Sequence, residues 1–293
     1  MLPASACAAS SSYTTSNATL IRFTDAAAKA SGKYSGCEID GTDVSITAAG
    51  TYVFSGDCDN GSITVKKGFM GVNIVLNGLT LTNDDSAAIT LNKTAEASLI
   101  AAVGTTNTVA DTEGSNDENA AVKVKSGATL AIGIKGAADA VITVGEVKLN
   151  INAADDGLSC DDELNITGGT LNITAGGDAV KASPDTGENP DTTSLGNVTI
   201  SGGTLTLNAT ADGIQADGDL TISGGTFHVK TNGGHTTALT DDSASCKGFK
   251  AGKTLTVTGG TLTVDSADDA LHAGTDVTIS GGTLTLATGD DGV

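Results

Sequence analysis

The chain has no tryptophan, three prolines, a single arginine (Arg22) and eight aromatic residues, three Tyr and five Phe, among 293. Positive charge is equally scarce: 15 Lys and Arg stand against 35 Asp and Glu, for a formal net charge of −20. Each shortage excludes something. Phosphate recognition needs clustered Lys and Arg, so nucleic-acid binding is excluded as a class. No apolar run approaches the roughly 18 residues of a transmembrane helix. The five cysteines, Cys7, Cys37, Cys58, Cys160 and Cys246, form no CxxC pair, which argues against zinc and thioredoxin-like chemistry. The three histidines, His228, His235 and His272, are scattered and form no catalytic or zinc constellation.

What is present narrows the class further. The 39 glycines have no three-residue period, so the chain is not collagen-like. At 39% hydrophobic and 17% charged residues, finely interleaved, it is not disordered either. Gly and Thr dominate, and both are poor in helix interiors, so strands are expected. The opening Met1-Leu2-Pro3-Ala4-Ser5-Ala6-Cys7, followed by a Ser-rich run, has the small residues of a bacterial lipoprotein processing site without its hydrophobic segment. Lipidation of Cys7 and a polar leader are the two readings. Residues 1–37 read as a leader, tether or pairing segment, and 38–293 as the repeat domain.

Self-similarity is the strongest signal. Thr-Ile-Ser-Gly-Gly-Thr-Leu-Thr-Leu (199–207) returns at 221–229, 256–264 and 278–286, with an earlier copy at 165–173 and a degenerate one around Leu149-Asn150-Ile151. Equivalent positions fall at 149, 171, 205, 227, 262 and 284, so the unit is 22 residues and two units carry insertions, near 183–193 and 231–247. Within a unit, apolar residues alternate in three short runs, as Leu205 and Leu207 do with Thr206 and Asn208. Three short strands per unit predict an all-β, right-handed, single-stranded parallel β-helix with about 22 residues per coil. Roughly ten coils fit between Val44 and Val293. The register of 123–148 stays unassigned, because that stretch is too short for two full coils. Cys37 and Cys58 lie about one coil apart, and a disulfide and two free thiols are both open. Cys160 shares a small-residue column with Ala182, Ala216, Ala251 and Ala273, which marks it as core.

Stacking the coils aligns Asp156, Asp178, Asp212, Asp269 and Asp291 in one column, with Asp155, Asp268 and Asp290 just before it. The coil of Phe227 is the exception, offering Gly234 or Lys247. Carboxylates about 4.8 Å apart repel unless something offsets them. Ca²⁺, which takes oxygens from carboxylates, carbonyls and water, is one answer, and these eight aspartates are its candidate ligands. The other is that Asp-Gly is good turn chemistry, with the carboxylate capping local N–H groups. A second column, Ser159, Lys181, Gln215, Lys250 and His272, runs beside it. Lys181, Gln215, Lys250 and His272 are candidate ligand-binding residues, and charge balance against the aspartates is the competing role.

The strings Leu220–Phe227, Gly176–Ala182 and Ala154–Leu158, with the upstream blocks Gly50–Gly56, Val75–Asn83, Ala87–Ile89, Gly104–Thr108 and Glu118–Val122, resemble the clostridial-type carbohydrate-binding β-helix family, related in fold to pectate lyases. The resemblance covers about residues 40–293. It implies a secreted bacterial β-helix that binds calcium on the Asp-Asp-Gly-like turns and adheres to cellulose or acidic plant-wall sugars, without established catalysis. The expected function is therefore an extracellular or cell-surface, calcium-binding, non-catalytic polysaccharide binder. A lyase would need an Arg or Lys base, and Lys181 and Lys250 lie among aspartates, which raise a lysine's pKa. A structural role is the alternative: the sequence stops in mid-coil at Asp290-Asp291-Gly292-Val293, an open strand edge that suits an end-to-end homopolymer or filament, with Thr14–Phe23 lying along a neighbour.

Overall fold

The computed structural model describes residues 16–32, 36–102, 105–112, 120–126, 128–132, 141–144, 148–184, 195–239 and 245–293. Cys7 and most of the 183–193 insertion lie outside the described residues. Those described are all β, with no helix, and their strands fall into sheets of nineteen and ten strands.

Three ladders of parallel strands run through the repeat region. The long ladder stacks Lys148–Ala153, Thr170–Ala175, Thr204–Ala209, Thr226–Thr231, Thr261–Ser266 and Thr283–Thr288. The aspartate-side ladder stacks Asp156–Cys160, Val180–Ala182, Ile214–Ala216, Phe249–Ala251 and Leu271–Ala273. The short ladder stacks Glu163–Ile166, Asn197–Ile200, Leu220–Ile222, Thr254–Val257 and Asp276–Ile279. The chain visits them in that order once per unit. The register follows the sequence repeat: Leu149 pairs with Leu171, Leu171 with Leu205, Leu205 with Phe227, Phe227 with Leu262 and Leu262 with Leu284.

Alternation sets the core. In Thr204–Ala209 the odd positions Leu205, Leu207 and Ala209 are buried and Thr204, Thr206 and Asn208 are exposed. Equal residues stack on equal residues, so one apolar column per inward position runs through the molecule. The scarce aromatics go inside. Phe23, Phe54, Phe227, Phe249 and Tyr52 are all buried, and Phe227 meets Phe249 edge to face at 5.5 Å. The corner between short and long ladders needs both glycines of its Gly-Gly pair. A Cβ on Gly224 would lie 2.4 Å from the Ser201 carbonyl oxygen of the neighbouring unit, while Gly225 has φ of +102°, where side chains are strained.

The stretch whose register the sequence leaves unassigned has a definite pairing. Thr108–Asp111 pairs directly with Lys148–Ala153, and Ala120–Val124 with Asp156–Cys160. The short ladder, however, receives two strands there: Thr129–Ile132 and Val141–Val144 pair with each other, and the second pairs with Glu163–Ile166. The compression is an added rung on one ladder in place of a full unit.

The first described strands pair within the chain. Thr19–Phe23 lies parallel to Gly50–Cys58 of its own chain rather than along a neighbour, and Lys29–Ser31 pairs antiparallel with it. These strands belong to the larger sheet, although they precede residue 38. Cys37 and Cys58 are both buried and free, as are Cys160 and Cys246, so the disulfide alternative is not realised.

Candidate functional site

The parallel register brings the column aspartates one above another at the turn between the long and aspartate-side ladders. Their first role is to hold backbone. The amide of Asp178 donates to Asp156 Oδ1 at 2.9 Å, that of Asp212 to Asp178 Oδ1 at 2.8 Å, and that of Lys247 to Asp212 Oδ1 at 2.8 Å. One unit further on, the amide of Asp291 donates to Asp269 Oδ1 at 3.2 Å. Each carboxylate thus caps the turn stacked on it, the longer-range form of the capping expected of an Asp-Gly turn. The same device occurs at another corner, where the amide of Asp219 donates to Asn197 Oδ1 and that of Thr254 to Asp219 Oδ1.

The remaining oxygens meet lysines. Lys181 Nζ lies 3.1 Å from Asp156 Oδ2 and 3.2 Å from Asp178 Oδ2, and Lys250 Nζ lies 3.0 Å from Asp212 Oδ2. Asp212, whose side chain is 1% exposed, also accepts the Ser245 hydroxyl at 2.7 Å. The second column holds its expected register, Lys181 on Gln215, Gln215 on Lys250 and Lys250 on His272. Its cations turn onto the aspartates, and Gln215 bonds Asp217 at 2.8 Å. Lys181 and Lys250 thus stand in the geometry that charge balance against the aspartates requires. Upstream, Lys123 bonds Asp161 at 2.7 Å in the same manner, a pair the sequence reading missed.

Electrostatics follow from burial. Asp178 is pushed up to about 6 by burial and by Asp156, against the opposing pull of Lys181. Asp156 is raised for the same first reason. Burial alone would lower Lys181, but Asp156 and Asp178 more than offset it and hold the ammonium above its ordinary value.

Of the eight aspartates expected to hold a metal, the structure gathers three: single carboxylate oxygens of Asp268, Asp269 and Asp290 lie within 4.8 Å of one another. Lys247, the exception in the column, sends Nζ to Asp268 Oδ2 at 2.6 Å and to Asp269 Oδ2 at 2.9 Å. Burial opposes the charge on Asp268, but Lys247 and backbone amides outweigh it and hold the carboxyl below its usual range. His272 Nδ1 lies 3.0 Å from Asp269 Oδ2. This donor set is all oxygen, as Ca²⁺ requires, and it already attracts a cation. At Asp156, Asp178 and Asp212 both oxygens of each carboxylate are engaged by protein donors. So are those of Asp268, with the Asp269 amide on Oδ1 and Lys247 on Oδ2, and of Asp269, with the Asp291 amide on Oδ1 and Lys247 and His272 on Oδ2. What sets this second group apart is a third, exposed carboxylate, Asp290, beside them. Asp155 and Asp291 stand exposed at their turns.

The 231–247 insertion, described apart from 240–244, makes a separate cluster. Asp265, on the outward face of the long ladder, accepts the His235 amide at 2.8 Å, meets His235 Nδ1 at 2.7 Å and faces Lys230 Nζ at 3.3 Å. These contacts, the His235 amide first, hold its carboxyl down to about 2.

No curated protein sequence matches the chain. Among solved structures, the polysaccharide lyase-like protein from C. thermocellum, a gadolinium derivative, is similar with a TM-score of 0.63 and 22% identity, over 93% of this chain and 99% of that one. At that identity the likeness concerns the fold. A family model matches residues 40–292, a span that takes in the whole aspartate column and all three ladders of the repeat region, and the chain belongs to the family of carbohydrate-binding domain-containing proteins.

Proposed function

We propose that the protein is an extracellular or bacterial cell-surface polysaccharide binder, calcium-associated and non-catalytic, built as a right-handed single-stranded parallel β-helix. Family membership supports the carbohydrate. The observation that carries the non-catalytic reading is the state of the lysines. A lyase base must give up its proton near neutral pH, whereas Lys181 and Lys247 are held above their ordinary values by paired aspartates. Lys250 is tied to Asp212 in the same geometry. Arg22 lies on the strand Thr19–Phe23, far along the stack from this turn line.

Asp268, Asp269 and Asp290 are the residues that would hold Ca²⁺, which would neutralise them and offer a bridge to a carboxylated sugar. The test is retention of purified protein on insoluble polysaccharides, neutral and acidic, with calcium and with chelator. Retention on acidic polymer that disappears with chelator supports the calcium bridge, and equal retention in both refutes it. Ultraviolet absorbance of unsaturated product during incubation with pectate would overturn the non-catalytic reading.

A further inference from the structure

The long ladder differs from the other two in having three outward positions per strand, and it continues in unbroken register through six strands. Thr204, Thr206, Thr261, Thr263, Thr283 and Thr285 are all exposed on it. Among the described residues, none of these six hydroxyls has a hydrogen-bond partner within the protein, so their donors and acceptors point to solvent. The short ladder has a single threonine column, of which Thr199 and Thr278 are exposed and Thr221 and Thr256 half-buried. Parallel stacking places Thr204, half-buried Thr226, Thr261 and Thr283 in one column at about 4.8 Å from strand to strand, while the neighbouring column runs Thr206, His228, Thr263 and Thr285, about 6.6 Å away along each strand.

The face is also close to neutral in a chain of net charge −20. Its exposed acid, Asp265, is matched by Lys230 and held by the insertion loop through His235. That loop is built to approach: a Cβ on Gly234 would fall 2.5 Å from both carboxylate oxygens of Asp265. The insertion therefore lies against one margin of a hydroxyl-rich strip whose charges, Lys230 and Asp265, offset each other.

We propose that this strip is the surface on which an uncharged polysaccharide lies, its chain running across the strands. The inference rests on the polysaccharide-binding reading above and assigns it a face. A polymer that repeats its hydroxyls meets the threonine column of Thr204, Thr226, Thr261 and Thr283, which repeats its own once per unit, beside a second column of polar residues broken by His228. The near-neutral strip, away from the proposed calcium group, suits an uncharged chain, since an acidic one without a calcium bridge would be repelled by the molecule's surplus carboxylates. The candidate ligand-binding residues Lys181, Gln215, Lys250 and His272 have polar groups engaged by the protein's own aspartates and by one another.

The experiment compares adsorption of the full chain to amorphous cellulose for wild type and two fourfold variants. One carries Thr204→Val, Thr206→Val, Thr261→Val and Thr263→Val; the control carries Thr199→Val, Thr221→Val, Thr256→Val and Thr278→Val on the short ladder. Valine keeps the β-branched shape that strands favour, so both should fold. The bulkier pair Thr206→Lys and Thr263→Lys, which raises the strip with long side chains, serves as a second test. The expected result is a loss of at least tenfold in affinity for the first variant and for the lysine pair, with less than a twofold change in the control. Wild-type affinity in both long-ladder variants overturns the assignment of this face while leaving polysaccharide binding intact. Wild-type retention on polygalacturonate but not on cellulose also overturns it. If the wild type is retained by no polysaccharide at all, the functional reading itself falls, and this one with it.

Discussion

At the scale of single residues, the aspartate column shows how an unfavourable stack of like charges is made tolerable. Asp178 is the clearest case. Its Oδ1 caps the Asp212 amide, its Oδ2 meets Lys181, and Asp156 lies one unit away. In the unfolded chain it ionises near 3.8, and in the folded one near about 6. Well below pH 3.8 it is protonated in both states and costs nothing. As pH rises from about 4 to about 6 the unfolded chain gains charge first, so this residue lowers stability across that window and keeps it lowered above. Asp178→Asn retains an oxygen for the Asp212 amide and removes the titration. Melting followed at pH 4 and pH 7 should show a smaller drop for Asp178→Asn than for wild type. Carboxylates with lowered values, such as Asp265 and Asp268, act in the opposite sense but are common to both proteins and cancel in the comparison. The column itself was legible in the sequence, because a parallel stack converts a 22-residue period directly into vertical neighbours. Which oxygen would cap and which would pair was not, since that depends on a lysine folding back across two units.

At the scale of elements, the corners decide where a strand ends. The Gly-Gly pair was legible as a turn from its repetition, but the two glycines serve for different reasons. Gly224 leaves room for the Ser201 carbonyl below it, and Gly225 takes a positive φ. Gly224→Ala and Gly225→Ala should each destabilise by about 1–3 kcal/mol, the first by collision and the second by strain. Chemical denaturation of the two variants checks this. Gly78→Ala is a useful reference: its φ is +71° but a Cβ there meets nothing within 4 Å, so it reports strain alone. The ladders upstream were harder to read. Val72–Asn83 is a single 12-residue strand that pairs with Gly50–Cys58 through a register shift, and the short ladder gains the added rung of Thr129–Ile132 and Val141–Val144. Neither irregularity preserves a period, so no count of spacings would have revealed it. The 231–247 insertion was legible as a loop. Its docking onto Asp265 came through the unrelated spacing of 30 residues between His235 and its partner.

At the scale of the whole molecule, the surplus of acid acts in two ways that an experiment can separate. A net charge of −20 makes a compact state repel itself, and any salt relieves that by screening. A calcium ion at Asp268, Asp269 and Asp290 would instead stabilise by binding the folded chain alone. The rival cation is internal, because the Lys247 ammonium already lies within 3 Å of two of these carboxylates. Raising sodium chloride should therefore lift the melting temperature of wild type and of Lys247→Ala alike. Replacing part of the sodium chloride by calcium chloride at constant ionic strength isolates the site. Lys247→Ala removes the internal competitor and leaves the carboxylates unpaired, so it should be less stable than wild type by about 2 kcal/mol without calcium. It should recover more on calcium addition than wild type gains. Equal calcium response in the two proteins would mean that the lysine and the ion do not share these oxygens. A response that sodium reproduces at equal ionic strength would reduce the ion's part to screening, with the aspartate group serving only to anchor Lys247.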